Sequence, residues 1–252
     1  MRSFFTASGS IFVGSMLETI TYSTGTRIAS FAGGKTGQII SNAALANEKL
    51  LASAASTIDV AAHQIVMQTW WLLSYMSSPL ALIGQALIPR DLAAGRGNKV
   101  RYVIMLLSRF GLAIGTICAL LCAVFSYALP NTFTNNIVIQ AAVQKVTIPV
   151  AISQFLICIA TTFDGISIGS NAMSDYVWAG IVSTGSAWLF YFFSMQYKLG
   201  LMGAWIGLSI FSFTRLLYYI HRFPVVMQST YKKPSGGSPA SDSDYSPLMS
   251  HV

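Results

Sequence analysis

The sequence is poor in charge. Only 9% of its 252 residues are Asp, Glu, Lys or Arg, against 54% apolar residues, whereas an ordinary soluble domain is about a quarter charged. With mean hydropathy at +0.59, the chain cannot cover a large apolar core with a charged surface, so lipid is its solvent over most of its length. Cysteine is scarce too. Cys118 and Cys122 lie one helical turn apart in one apolar run and Cys158 in another; they form no disulfide framework and read as small packed residues. The sequence also carries no Gly-rich phosphate loop, metal-ligand cluster or nucleophile–base pair. That argues against an enzyme and against a bound metal or cofactor.

What charge there is tilts basic, with a formal net charge of +7. In a soluble protein this would suggest nucleic acid. Here the basic residues lie in loops beside apolar spans, where they set membrane orientation instead. The opening Met1-Arg2-Ser3-Phe4-Phe5 has the look of a signal peptide, but the run continues past signal length and carries Glu18. It is read as mature protein, with Met1 open to being an internal methionine of a longer product.

Six apolar segments can each span a hydrocarbon core, which takes roughly 20 helical residues: near Ser8–Phe31, Val60–Ile88, Val103–Leu129, Val143–Ile168, Tyr176–Tyr197 and Leu201–His221. The expectation is an all-α membrane protein whose residues 1–228 form one six-helix lobe. Residues 229–252, rich in Ser, Pro, Gly and Asp, form a disordered cytoplasmic tail. Phe31–Ile58 reads as a long polar loop and Pro89–Arg101 as a short basic one. Arg90, Arg96, Lys99, Arg101 and Arg109, with Arg2, Arg215, Arg222, Lys232 and Lys233, put that side and both termini in the cytoplasm or its equivalent; Arg27, Lys35, Lys49, Lys145 and Lys198 lie opposite.

Ionisable side chains inside the spans need explaining, because a carboxylate at mid-bilayer costs about 3 kcal/mol and normally faces a cavity or a partner. Glu18 lies midway along the first span. Thr21, Tyr22 and Gly25 share its face, with Gly14 a turn earlier, while Ile11, Leu17 and Ile20 point elsewhere. Asp164 is the second, flanked by Thr161 and Thr162, with Gly165 and Gly169 positioned for close approach of a neighbour. Each has a plainer reading, as a structural hydrogen bond for Glu18 and an interfacial cap for Asp164. Pro79 and Pro149 fall within spans and permit kinks. His63 reads as a packing residue and Arg27 as one that snorkels. Trp70, Trp71, Tyr75, Phe155 and Tyr191 are candidates to line a cavity, though most such aromatics face lipid or core.

Several strings, in order along the chain, resemble the MATE (multidrug and toxic compound extrusion) family. Ala61-Ala62-His63-Gln64-Ile65, closing with Gly84-Gln85-Ala86-Leu87-Ile88 and Ala94-Gly95-Arg96, is similar to the family's eighth helix and following loop. Phe163-Asp164-Gly165-Ile166-Ser167-Ile168-Gly169 with Ser174-Asp175-Tyr176 resembles the tenth helix and its exit. Gly200-Leu201-Met202-Gly203-Ala204-Trp205-Ile206-Gly207-Leu208, with Arg215 downstream, resembles the final helix. Pro89, the length of the first loop and Arg27 depart from the pattern.

The resemblance implies that the spans are helices seven to twelve of a twelve-helix, two-lobe exporter, nearest the damage-inducible and plastid subgroup. It implies ion-coupling roles for Glu18 and Asp164 and a motif position at Asp175; Thr21 and Tyr22, on the Glu18 face, and Thr161 and Thr162, beside Asp164, are candidates to line the same site with Asp175. The implied activity is proton- or sodium-coupled antiport of a small organic compound. Its partners are the bilayer and either an N-terminal lobe or a second half-transporter. A truncated gene model, a true half-transporter and an inactive remnant are the accounts of the other lobe, truncation ranked first. A non-transporting scaffold or regulatory partner, or a lipid or oligosaccharide flippase of the wider superfamily, is the alternative. The sequence does not decide among the plasma, vacuolar and plastid envelope membranes; the subgroup resemblance is compatible with the plastid envelope, though no transit peptide is present to support it.

Overall fold

The computed structural model describes residues 2–30 and 48–229; the tail beyond them and most of the first loop lie outside the described residues. Every described element is helical: α1 (Arg2–Ser30), α2 (Glu48–Ser74), α3 (Ser78–Ala93), α4 (Gly97–Ala128), α5 (Ile137–Lys145), α6 (Thr147–Gly169), α7 (Met173–Gln196) and α8 (Gly200–Ser229). A single helical turn, Pro130–Phe133, precedes α5. The all-α class is borne out. The end of the expected first loop is corrected, since α2 already begins at Glu48.

Prolines divide two of the expected spans. Pro79 has no N–H to offer the Tyr75 carbonyl, so the chain tightens into a 3₁₀ turn at Tyr75–Ser77 in which the Ser78 N–H bonds Tyr75 instead. Pro149 likewise offers nothing to Lys145, where α5 ends, and α6 restarts at Thr147. Both prolines therefore sit in the first turn of a new segment, where a missing donor is harmless. Pro89 was expected to open a loop, but it lies inside α3, which runs on to Ala93.

Five stretches among the described residues are long and apolar enough to cross a membrane: Ala54–Ala93, Gly97–Ala128, Thr147–Gly169, Met173–Gln196 and Gly200–Pro224. The expected first span, α1, has the length at 29 residues but not the apolarity. Serines, threonines and Glu18 dilute it. Its threonines limit the cost by bonding back one turn, Thr19 to the Ser15 carbonyl at 2.9 Å, Thr21 to Leu17 at 2.8 Å and Thr24 to Ile20 at 2.8 Å.

Large apolar side chains crowd the outside. Leu72 is 65% exposed, Leu120 64% and Ile148 74%, an arrangement water would not tolerate but lipid does. The protein is integral to a membrane and crosses it several times. α6 is the hub: 67% of its apolar window is buried, against 28% for α4. It packs on α3, α4 and α8, while α8 also meets α1 and α7. The α3–α6 seam depends on glycine. A Cβ on Gly84 would lie 3.2 Å from the Gly165 carbonyl carbon, and one on Gly165 would run into the Ala81 backbone. The close approach expected of Gly165 is thus present. Trp70 ties α2 to α6 by donating its indole N–H to Ser153 Oγ at 3.0 Å, and Ser209 of α8 donates to the Pro149 carbonyl at 2.9 Å.

Candidate functional site

Three helices converge on one buried guanidinium. Arg215, in the middle of α8, is 0% exposed. Its Nη1 donates to Glu18 Oε1 of α1, and its Nε donates to Asp164 Oδ1 of α6 at 3.0 Å. Its Nη2 makes an ion-pair contact with the same Asp164 oxygen at 3.0 Å but no hydrogen bond among the described residues. Tyr219, one turn on in α8, donates its hydroxyl to Asp164 Oδ1 as well. The Tyr176 ring of α7 and the Phe211 ring lie 5.5 and 5.7 Å from the guanidinium carbon, within cation–π range. Gly14 makes room for this, because a Cβ there would overlap the Tyr176 ring.

The clamp brings together Glu18 and Asp164, which are 146 positions apart in the chain, and only the fold relates them. Arg215, expected near the cytoplasmic face, is a fully buried partner of both carboxylates. The rule that singled out the two carboxylates, that ionisable groups in a span pair with one another, applied equally to Arg215. Tyr219 and Tyr176 gave no comparable signal.

The other predicted residues fall into separate places. The face carrying Gly14, Thr21 and Gly25 is buried, and Ile11 and Ile20 point outward at 40% and 39% exposure. Thr21 bonds Thr184 of α7 at 3.2 Å, and among the described residues no hydrogen bond joins it to the clamp. Tyr22 stands edge-on to Trp70, Trp71 and Phe211. Thr162 is turned away from Asp164: its hydroxyl bonds the Cys158 carbonyl at 3.0 Å, and its side chain fills the space opposite Gly111 of α4. Thr161, half-buried a turn before Asp164, makes no hydrogen bond to it among the described residues. The Gly165 carbonyl faces Gly84 of α3.

Asp175 belongs to a second ion pair. It opens α7 and accepts from Arg222 Nε at 3.0 Å and from the Tyr218 hydroxyl at 3.3 Å. Arg215 and Arg222, two turns apart on α8, thus fasten it to three other helices. His63 is fully buried, its Nε2 3.2 Å from the Thr26 hydroxyl and its ring 5.5 Å from that of Trp205, which is a packing role. Of the aromatics weighed for a cavity, Trp70 and Tyr191 are core residues, whereas Trp71 and Tyr75 are exposed. All three cysteines are buried and free.

Comparison with known proteins bears on this arrangement. Protein DETOXIFICATION 45, chloroplastic, of Arabidopsis thaliana is 29% identical over 172 residues, covering 66% of this chain and 30% of that protein. The chain is similar to the plant DETOXIFICATION proteins. Protein DETOXIFICATION 44, chloroplastic, from the same plant is 28% identical, covering 66% of this chain and 32% of that protein. Protein DETOXIFICATION 43 is 26% identical, covering 68% and 32%. The resemblance to the MATE family is borne out, including its chloroplastic side. No family model matches the chain. The matches span about a third of the length of these relatives.

Proposed function

We propose that this chain forms one lobe of a secondary active exporter that moves small organic compounds outward in exchange for protons or sodium ions. The observation that carries the reading is the Glu18–Arg215–Asp164 clamp. With both carboxylates ionised, two negative charges face one positive charge, leaving one net negative charge among apolar helices. An uncompensated charge is costly there, and a cation that neutralises it is bound in proportion.

The clamp joins α1, α6 and α8, so its charge bears on how those helices pack. A coupling ion drives a conformational change only if it binds one state better than the other. Neutralising either carboxylate weakens its hold on Arg215 and favours a different packing of α1 or α6 against α8. In alternating access the substrate binds near the midplane between two pseudo-equivalent bundles. The second bundle is an N-terminal lobe encoded with this chain or supplied by a partner. The outward side of α1 exposes Phe12, Met16 and Ile20, an apolar face that suits such a contact.

Proteoliposomes holding the full-length protein and loaded with ethidium or citrate provide the test. An imposed pH or sodium gradient drives flux in the natural protein, and Glu18→Gln and Asp164→Asn each reduce it at equal protein level. Undiminished flux in both variants would remove the coupling assignment. A scaffold predicts no gradient-driven flux at all.

A further inference from the structure

We infer that Arg215 selects the coupling ion: it fills, as a tethered cation, the place a sodium ion would take, and it leaves a site that accepts one proton. This rests on the exporter reading and goes beyond it by fixing the ion and the residue that chooses it.

The ligand set argues against sodium. An alkali cation leaves its hydration shell only for several oxygen ligands, and membrane sodium sites usually draw them from unwound helix carbonyls. Here α1 runs unbroken from Arg2 to Ser30 and α6 from Thr147 to Gly169, so their carbonyls around Glu18 and Asp164 are held in helix bonds. The Thr162 hydroxyl is committed to the Cys158 carbonyl. Asp164 Oδ1 already accepts from Arg215 Nε and Tyr219, and Glu18 Oε1 from Arg215 Nη1. A metal ion near either oxygen would stand beside a guanidinium that cannot lose its charge or move aside without leaving its place between Tyr176 and Phe211.

A proton makes none of these demands. It needs one carboxylate oxygen, and each acid has a second one that takes no part in the clamp's hydrogen bonds. One proton brings the cluster from one net negative charge to zero; a second would leave a buried positive charge, so the site stops at one. The groups that bear on Arg215 are Glu18 from α1, Asp164 from α6, Tyr176 from α7 and Tyr219 from α8, with Tyr22 of α1 close to the same charges. α2 presents His63 to Trp205 and Thr26.

The test separates the two drives in proteoliposomes of full-length protein, with ethidium and citrate as probes. A pH gradient without sodium is expected to drive flux, and a sodium gradient at equal pH to drive about tenfold less or none. In Arg215→Met the guanidinium is gone and two carboxylates face an open space. The ratio of sodium-driven to proton-driven flux then rises by about tenfold or more, and the pH profile of any remaining flux moves. Arg215→Lys, which keeps the charge, retains the proton preference. Sodium drive equal to proton drive in the natural protein overturns the inference while leaving export standing, and it does so whether or not the methionine variant folds. A folded Arg215→Met protein with unchanged ion preference overturns the role of Arg215. No flux of either probe under either gradient sinks the exporter reading, and this inference with it.

Discussion

Glu18→Gln and Asp164→Asn remove the same charge from the same cluster, yet the structure separates their costs. Asp164 Oδ1 accepts hydrogen bonds from Arg215 Nε and from the Tyr219 hydroxyl, with Nη2 in contact at 3.0 Å, and its side chain is only 13% exposed. Glu18 accepts one bond, and its side chain is 28% exposed. A hydrogen bond to a charged group contributes about 1.5–3 kcal/mol and a neutral one about 0.5–1.5, so neutralising the acceptor forfeits about 1 kcal/mol per bond.

Asp164→Asn weakens two such bonds and dissolves the better buried ion pair, for a loss of about 3 kcal/mol, at the lower end of what breaking a buried pair costs. Glu18→Gln weakens one bond and removes one of two like charges, for a loss of about 1 kcal/mol or less. Both variants leave a neutral cluster, so the difference of about 2 kcal/mol isolates bond geometry from net charge. Denaturant unfolding of the full-length protein in detergent measures it, with tryptophan fluorescence as the signal, since Trp205 and Trp70 are buried beside this bundle. Equal losses, or a greater loss in Glu18→Gln, would refute the geometry from which these numbers are built.

Two further outcomes follow from the packing. Gly165→Ala sets a methyl group against the Ala81 backbone, which cannot turn aside, and should destabilise the α3–α6 seam by about 1–3 kcal/mol. Gly185→Ala, where nothing lies within 4 Å, should be neutral or stabilising by up to about 1 kcal/mol; matched melting curves in detergent compare the two. Trp70→Phe strips the Ser153 hydroxyl of its indole donor and should lower stability by about 1 kcal/mol, a loss that unfolding of the Trp70→Phe, Ser153→Ala double variant should show to be non-additive.

The sequence alone determined the solvent and most of the helices. Scarce charge and long apolar runs leave no alternative to lipid, and in lipid a chain without closed strands must satisfy its backbone within helices. It also marked Glu18 and Asp164, because a carboxylate inside a span is an exception wherever it occurs. Local rules reached the inward face of α1 and the small residues of α6 as well, since both depend on spacing along one helix.

Only the tertiary structure decided what those residues meet. Helical periodicity says which face of a helix a side chain occupies but not which neighbour lies against that face. Thr162 therefore looked like a companion of Asp164 and proved to face Gly111 of α4. Arg215 was counted with the charges near one membrane face, and the packing makes it the buried partner of both carboxylates. Its helix is apolar enough to hide it, and the two carboxylates that make its burial tolerable come from helices far away in sequence. Charge pairing across a bundle is a property of the packing, and only the packing could show it.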